Sequence, residues 1–248
     1  MIQSIERACA ILALLAEEPE RPVFLAEIAG RLRLKPGTCA NILKTLAALD
    51  YVEQTAARKG YILGPQPYRL ARNGAYRKDL VQAAEPHLRA LAVKTRETVL
   101  LATLRNGSRI ILSQVSGNAV FQVRDRYLRE ENLYTTATGR LLLAYAADKD
   151  LSLILNQKGL PTRAQWPEAA TEKTFQAERA RIRKTGWALV QGEAAGVGFP
   201  IREKGRVAAS LGLFMPGFRL TPARKTIILK DLAAAAKTID STLQGAPP

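Results

Sequence analysis

Two short helical patterns joined by about three residues constrain this chain more than any bulk property does. Residues 25–32 (LAEIAGRL) and the stretch PGTCANILKTLAALD, which opens at Pro36, each carry apolar residues at helical spacing, with only Arg33 to Lys35 between them. Proline suits the first position of a helix, because the N–H it lacks has no intrahelical partner there. Upstream, SIERACAILALLAE (residues 4–17) places Ile5, Cys9, Leu12 and Ala16 on one stripe, with Ser4 as its expected N-cap and EEPERP as its breaker. Downstream, YVEQ and GYIL flank the basic turn TAARK, which predicts a hairpin with Arg58 and Lys59 at its tip. Helix, helix-turn-helix and basic hairpin in this order predict a winged helix-turn-helix domain over residues 1–65.

On a wheel turned by about 100° per residue, the third helix separates into two faces. Cys39, Ile42, Leu43, Leu46 and Leu49 share the core arc, while Gly37, Thr38, Asn41, Lys44, Thr45 and Ala48 share the other. A merely solvated face usually carries several Glu and Lys residues. This one is short and polar with a single Lys, so its backbone can come close to another surface. Duplex DNA accepts a helix in its major groove, where small polar side chains meet base edges and basic groups meet phosphates. The candidate DNA-binding residues are therefore Gly37, Thr38, Asn41, Lys44 and Thr45 on the helix, with Lys35 at its start and Arg58 and Lys59 on the hairpin. The residues alone leave open a protein–protein module with a solvated third helix. Cys39 lies on the core arc, which predicts a buried, inert thiol.

Residues 66–78 fall in a Pro-, Gly- and Arg-containing stretch that predicts a short helix within a linker, and residues 79–248 read as a second domain. A long helix (DLVQAAEPHLRALAVKTRE) precedes two β-rich runs around Asn106-Gly107, a strong hairpin signal. NAVFQVRD is expected to be a third strand, and TATGRLLLAYAA and KDLSLILNQ two helices. The charged stretch 172–185 is expected to be a solvated helix, followed by strands at WALVQ, GVGFPIRE and RVAASLGLF. A last helix over residues 222–243 puts Ile228, Leu232, Ala235 and Ile239 in line. The fold class is α+β, with an antiparallel sheet in the second domain.

Among 248 residues there are 37 Lys plus Arg against 22 Asp plus Glu, a net charge of +15 that suits a polyanionic or acidic partner. The surplus is uneven. Residues 1–85 hold 12 basic and 9 acidic side chains and residues 86–248 hold 25 and 13, so the DNA inference rests on the local pattern, not on bulk charge. Two cysteines and one histidine, His87, exclude a disulfide framework and Cys/His zinc clusters, and no metal or cofactor is expected. An enzyme acting through the second domain would have neither nucleophile motif nor phosphate loop to use. No apolar run reaches the roughly 18 to 20 residues that span a bilayer, so a cytoplasmic protein is expected.

SIERACAILALLAE, LAEIAGRLRLKPGTCANILKTLAALDYVE and GYILGPQPYRLA resemble the N-terminal domain of IclR-family bacterial transcription regulators. In the second half ETVLLATLRNGSRIILSQVSG, FQVR, TTATGRLLLAY, GWALV, FPIR and FRLTP recur in that family's order, so the resemblance covers nearly the whole chain. It implies a homodimeric or homotetrameric repressor or activator that binds a double-stranded DNA operator. It also implies a C-terminal GAF/profilin-like sheet domain that senses a small organic acid. The residues it assigns to the effector are Arg124, Thr136, Ala137, Gly139, Arg140, Glu193, Gly196, Gly212 and Phe214. There are departures. Asn41 and Gly37 stand where the family commonly has Arg and Ser, the segment AAGVGFPI is shortened, and Gly212 and Phe214 replace frequent Ser. These imply altered base readout and a more apolar pocket.

TTATGR also carries chemistry without the resemblance. Thr135 or Thr136 can cap a helix whose N–H groups and positive dipole end favour an anion, and Gly139 would let a ligand approach the backbone. Arg140 in the first turn opposes the dipole unless an anion sits there. An ordinary cap with Gly139 packed against a strand reads the same residues equally well. Arg124 can hold a carboxylate bidentately or simply be solvated, and Glu193 can accept from a ligand or stand in a solvated loop.

Overall fold

The structure is a computed structural model that describes residues 2–55, 60–73, 76–117 and 133–245, and elements are numbered among those residues. Two compact units divide the chain, Met1–Tyr76 and Arg77–Pro248.

In the first unit, α1 (Gln3–Ala16), β1 (Val23–Phe24), α2 (Leu25–Arg31), α3 (Pro36–Ala48), β2 (Val52–Gln54), β3 (Gly60–Leu63) and α4 (Pro65–Asn73) follow in order. The strands form a small antiparallel sheet in the order β1-β3-β2, with Val23 and Gln54 both opposite Tyr61. The α2–α3 corner turns through Arg33, whose φ of 53° is left-handed, and the Leu34 amide donates to Ala29 O at 2.8 Å to close it. Ile11, Leu15, Val23, Ile28, Cys39, Leu43 and Val52 pack together from α1, α2, α3 and the sheet. Ser4 is not a cap, because α1 begins at Gln3 and puts it inside the first turn. Leu49 also leaves the expected core arc. The helix ends at Ala48, so Leu49 is its cap residue and is 57% exposed. The start of α4 is pinned where Gln66 N donates to Asp50 O at 3.0 Å.

The second unit begins with α5 (Lys78–Thr95), β4 (Thr98–Arg105) and β5 (Ser108–Val115). Asn106 and Gly107 have φ of 49° and 78°, the pair of left-handed residues that a two-residue hairpin turn needs. The chain continues through α6 (Ala137–Tyr145), α7 (Asp148–Lys158), α8 (Glu172–Thr185), β6 (Ala188–Val190), β7 (Ala194–Glu203), β8 (Arg206–Pro216) and α9 (Pro222–Gly245). The five strands pair antiparallel in the order β5-β4-β8-β7-β6.

Strand alternation decides the two faces of this sheet. Val99, Leu101, Val197, Leu211 and Leu213 share one core with Leu80 and Leu88 of α5 and Ile228, Leu232 and Ile239 of α9. On α9 Ala236, not Ala235, is the buried alanine. The intervening residues, Leu100, Gly196, Gly198, Ser210 and Gly212, face α6. A Cβ on Gly198 would stand 3.0 Å from Ala137 O, and one on Gly212 would stand 2.3 Å from Thr138 Cγ2. The glycines thus let the N-terminal turn of α6 lie on the sheet.

The stretch expected to be only a solvated helix does more. Phe175, Arg179 and Ile182 form a buried stripe on α8. Arg179 Nε donates to Leu143 O at 3.0 Å and Nη2 to Ala146 O at 3.4 Å, capping the end of α6. A charged residue at core spacing here serves another helix's free carbonyls. The strand expected at NAVFQVRD lies outside the described residues.

Candidate nucleic-acid interface and ligand cavity

α3 carries the residues expected to meet DNA. Asn41, Lys44 and Thr45 are exposed on it, Thr38 is half-buried, and a Cβ on Gly37 would meet nothing within 4 Å. Gly37 is therefore not demanded by packing; it leaves the helix backbone bare in the first turn of α3. Thr45 Oγ1 donates to Asn41 O at 3.0 Å, which fixes that hydroxyl with its acceptor lone pairs outward. Lys35 is exposed at the N-cap and makes no side-chain cap, so the first N–H groups of α3 remain available to an anion such as a phosphate. Arg58 and Lys59 lie outside the described residues. At the described ends of β2 and β3, Thr55 N donates to Gly60 O at 2.9 Å.

In the second unit, Thr136 is the N-cap of α6. Its Oγ1 accepts from Gly139 N at 3.2 Å, satisfying one end amide. Thr136, Ala137, Gly196, Gly212 and Phe214 line one cavity, five of the residues expected there. Leu100, Arg109, Thr138, Val197 and Leu213 complete it. Arg109 is the notable addition. It is 1% exposed on β5, and its Nη1 donates to Thr138 Oγ1 at 3.2 Å, which brings a buried positive charge to the positive end of a helix. The cavity has a volume of about 10 Å³ among the described residues, room for one water at most.

Three expected residues stand elsewhere. A Cβ on Gly139 would lie 2.3 Å from Leu133 O, so close backbone packing requires a glycine here, and it does not line the cavity. Arg140 turns away from the cavity. Its Nε donates to Tyr134 O at 2.8 Å and its Nη2 to Gln165 O at 3.0 Å, while the guanidinium lies 4.6 Å from the centre of the Trp166 ring. Burial pulls its pKa down to about 10, still well above neutrality, so the side chain is a cation answered by carbonyls. Glu193 is exposed at a turn and is absent from the cavity lining. Arg124 lies outside the described residues.

A winged helix with an open face of small polar residues, in one chain with an α+β domain that holds a cavity against a helix N-terminus, defines a DNA-binding regulator. Residues 4–56 match the IclR helix-turn-helix domain and residues 74–241 the bacterial transcriptional regulator IclR C-terminal domain. The glycerol operon regulatory protein of Streptomyces griseus is 30% identical over 94% of this chain and 94% of its own. The HTH-type transcriptional regulator BhcR of Paracoccus denitrificans is 29% identical over 96% of this chain and 86% of its own. An IclR homologue from Microbacterium hydrocarbonoxydans, solved in complex with 4-hydroxybenzoate, has the same fold at a TM-score of 0.77 with 22% identity, covering 96% of this chain and 100% of that one. The chain belongs to the IclR family of bacterial transcriptional regulators.

Proposed function

We propose that this regulator is a cytoplasmic homodimer or homotetramer that binds a pseudo-palindromic operator through α3. In this reading its affinity is set by a small organic acid in the cavity at the N-terminus of α6. The observation that carries the effector reading is Arg109, a buried guanidinium beside the Thr138 hydroxyl and the first amides of α6. A carboxylate there would meet charge-assisted donors from both sides. The homologue complexed with 4-hydroxybenzoate supports the same ligand class.

The cavity volume of about 10 Å³ favours a second reading, in which the pocket is closed and operator binding is constitutive. Admission of an acid requires half-buried Phe214 to swing off the cavity. Electrophoretic mobility shifts on the DNA flanking the gene, with and without 4-hydroxybenzoate and small aliphatic acids, separate the readings. Operator binding that responds to an acid and loses the response in Arg109→Met supports the first. Binding that ignores every acid, with no thermal stabilisation by any of them, supports the second. Absence of sequence-specific binding refutes both.

A further inference from the structure

A roomier cavity lies at the other end of α6. β4 and β8 are neighbours from Thr98↔Phe214 to Ala102↔Ser210, where their pairing stops. Beyond that point a side chain takes over, with Thr103 Oγ1 donating to Ala208 O at 2.8 Å. Irregularities at Leu101/Ala102 in the β4–β5 ladder and Ile201/Arg202 in the β7–β8 ladder fall near the same level, and such bulges bend and twist the strands that carry them. The gap between the parting strands is closed over by the C-terminal end of α6 and the Ala146–Ala147 corner. It encloses about 370 Å³, within the usual range of small-molecule sites.

The lining is chemically mixed. Leu104, Leu142 and Tyr145 give it an apolar wall, and Arg202, Arg206 and Asp150 bring charge. The Arg202 guanidinium lies 5.7 Å from the centre of the Tyr145 ring, while its backbone N–H donates to Asp240 Oδ1 at 2.7 Å. The side chains of Arg206 and Asp150 are exposed. A cation would meet two guanidinium groups here, and a simple phosphate or carboxylate would leave Asp150 facing a like charge. A ligand that is both acid and hydroxyl donor answers every group.

We propose that this cavity is a second small-molecule site, for a hydroxy acid. Its carboxylate is held by Arg202 and Arg206, its hydroxyl donates to Asp150, and its carbon skeleton lies against Leu142 and Tyr145. The site is distinct from the one containing Arg109 and stands whether or not that cavity admits an effector.

The test is isothermal titration calorimetry on the full chain with L-malate, L-tartrate and L-lactate, and with succinate as the diacid that lacks the hydroxyl. At least one hydroxy acid should bind saturably, and malate should bind more tightly than succinate. Arg206→Ala, at an exposed position, should weaken binding about tenfold or more, the usual effect of losing a charge-assisted contact. Asp150→Ala should bring malate and succinate to near parity. Thermal unfolding of both variants at the wild-type temperature shows that the fold is intact. Failure of all three hydroxy acids at millimolar concentration, or equal affinity in wild type and Arg206→Ala, overturns the proposal.

Discussion

Gly212→Ala tests whether the cavity at α6 is shaped by a single missing methyl group. The added Cβ would stand 2.3 Å from Thr138 Cγ2, and the next nearest atom, Leu100 Cδ1, is 3.6 Å away. Two carbons that should be no closer than about 3.4 Å must therefore separate by about 1 Å. Thr138 is poorly placed to yield by rotation, because its Oγ1 accepts from Arg109 and it sits in the first turn of α6. Overpacking of this kind costs about 1–3 kcal/mol. For a unit the size of Arg77–Pro248, each kcal/mol lowers Tm by about 2–4 °C. Urea and thermal unfolding should show that loss in Gly212→Ala. The double variant with Thr138→Ser, which deletes Cγ2 and keeps the hydroxyl, should return to within about 0.5 kcal/mol of Thr138→Ser alone. A double variant as unstable as Gly212→Ala refutes the reasoning, as does a Gly212→Ala protein with wild-type stability.

Further outcomes are expected elsewhere in the molecule. Arg140→Lys keeps the charge but cannot reach both Tyr134 O and Gln165 O, and should cost about 1.5–3 kcal/mol in urea unfolding. Its intrinsic fluorescence should change as well, because the guanidinium leaves the Trp166 face. Burial pushes the Cys39 thiol up, so at neutral pH less of it is thiolate than in a free cysteine. Titration with a thiol reagent should therefore find only exposed Cys9 in the folded protein and both after unfolding. In DNA binding, Asn41→Ala should cost about 1–3 kcal/mol against the operator and leave non-specific binding unchanged. Lys44→Ala should weaken both and lower the salt dependence by about one counterion.

The winged helix was legible because each of its parts is local. Three-residue spacing fixes the α2–α3 corner, and the wheel of the third helix assigns Cys39, Leu43 and Leu46 to the core. Leu49 misled, since a wheel continues past the point where the helix stops. The cavity at α6 was half legible. TTATGR announces a helix start, and the alternation in GVG and SLGLF places small residues on one face of a sheet. Arg109 carried a partial signal, a lone charge in the apolar strand SRIILS, but the edge strand β5 is otherwise only half-buried, and it is the fold that buries this one side chain beside α6. Arg140 could not be read locally. The carbonyls it serves belong to residues 25 and 49 positions away as well as 6, and only the folded chain brings Gln165 and Leu189 to Tyr134. The gap between β4 and β8 is equally non-local, since it follows from where two ladders lose register.

Helix α6 has a cavity at each end, Thr136 to Thr138 bordering one and Leu142 to Tyr145 the other. Its nine residues span about 13 Å, and a hydrogen-bonded helix of that length moves as a rigid rod. Whatever occupies one end and shifts the rod alters the shape offered at the other. Thermodynamic reciprocity then requires the two occupants to change each other's affinity by the same factor. Were both cavities to take the ligands proposed for them, this one helix would let the regulator weigh two inputs in a single mechanical element.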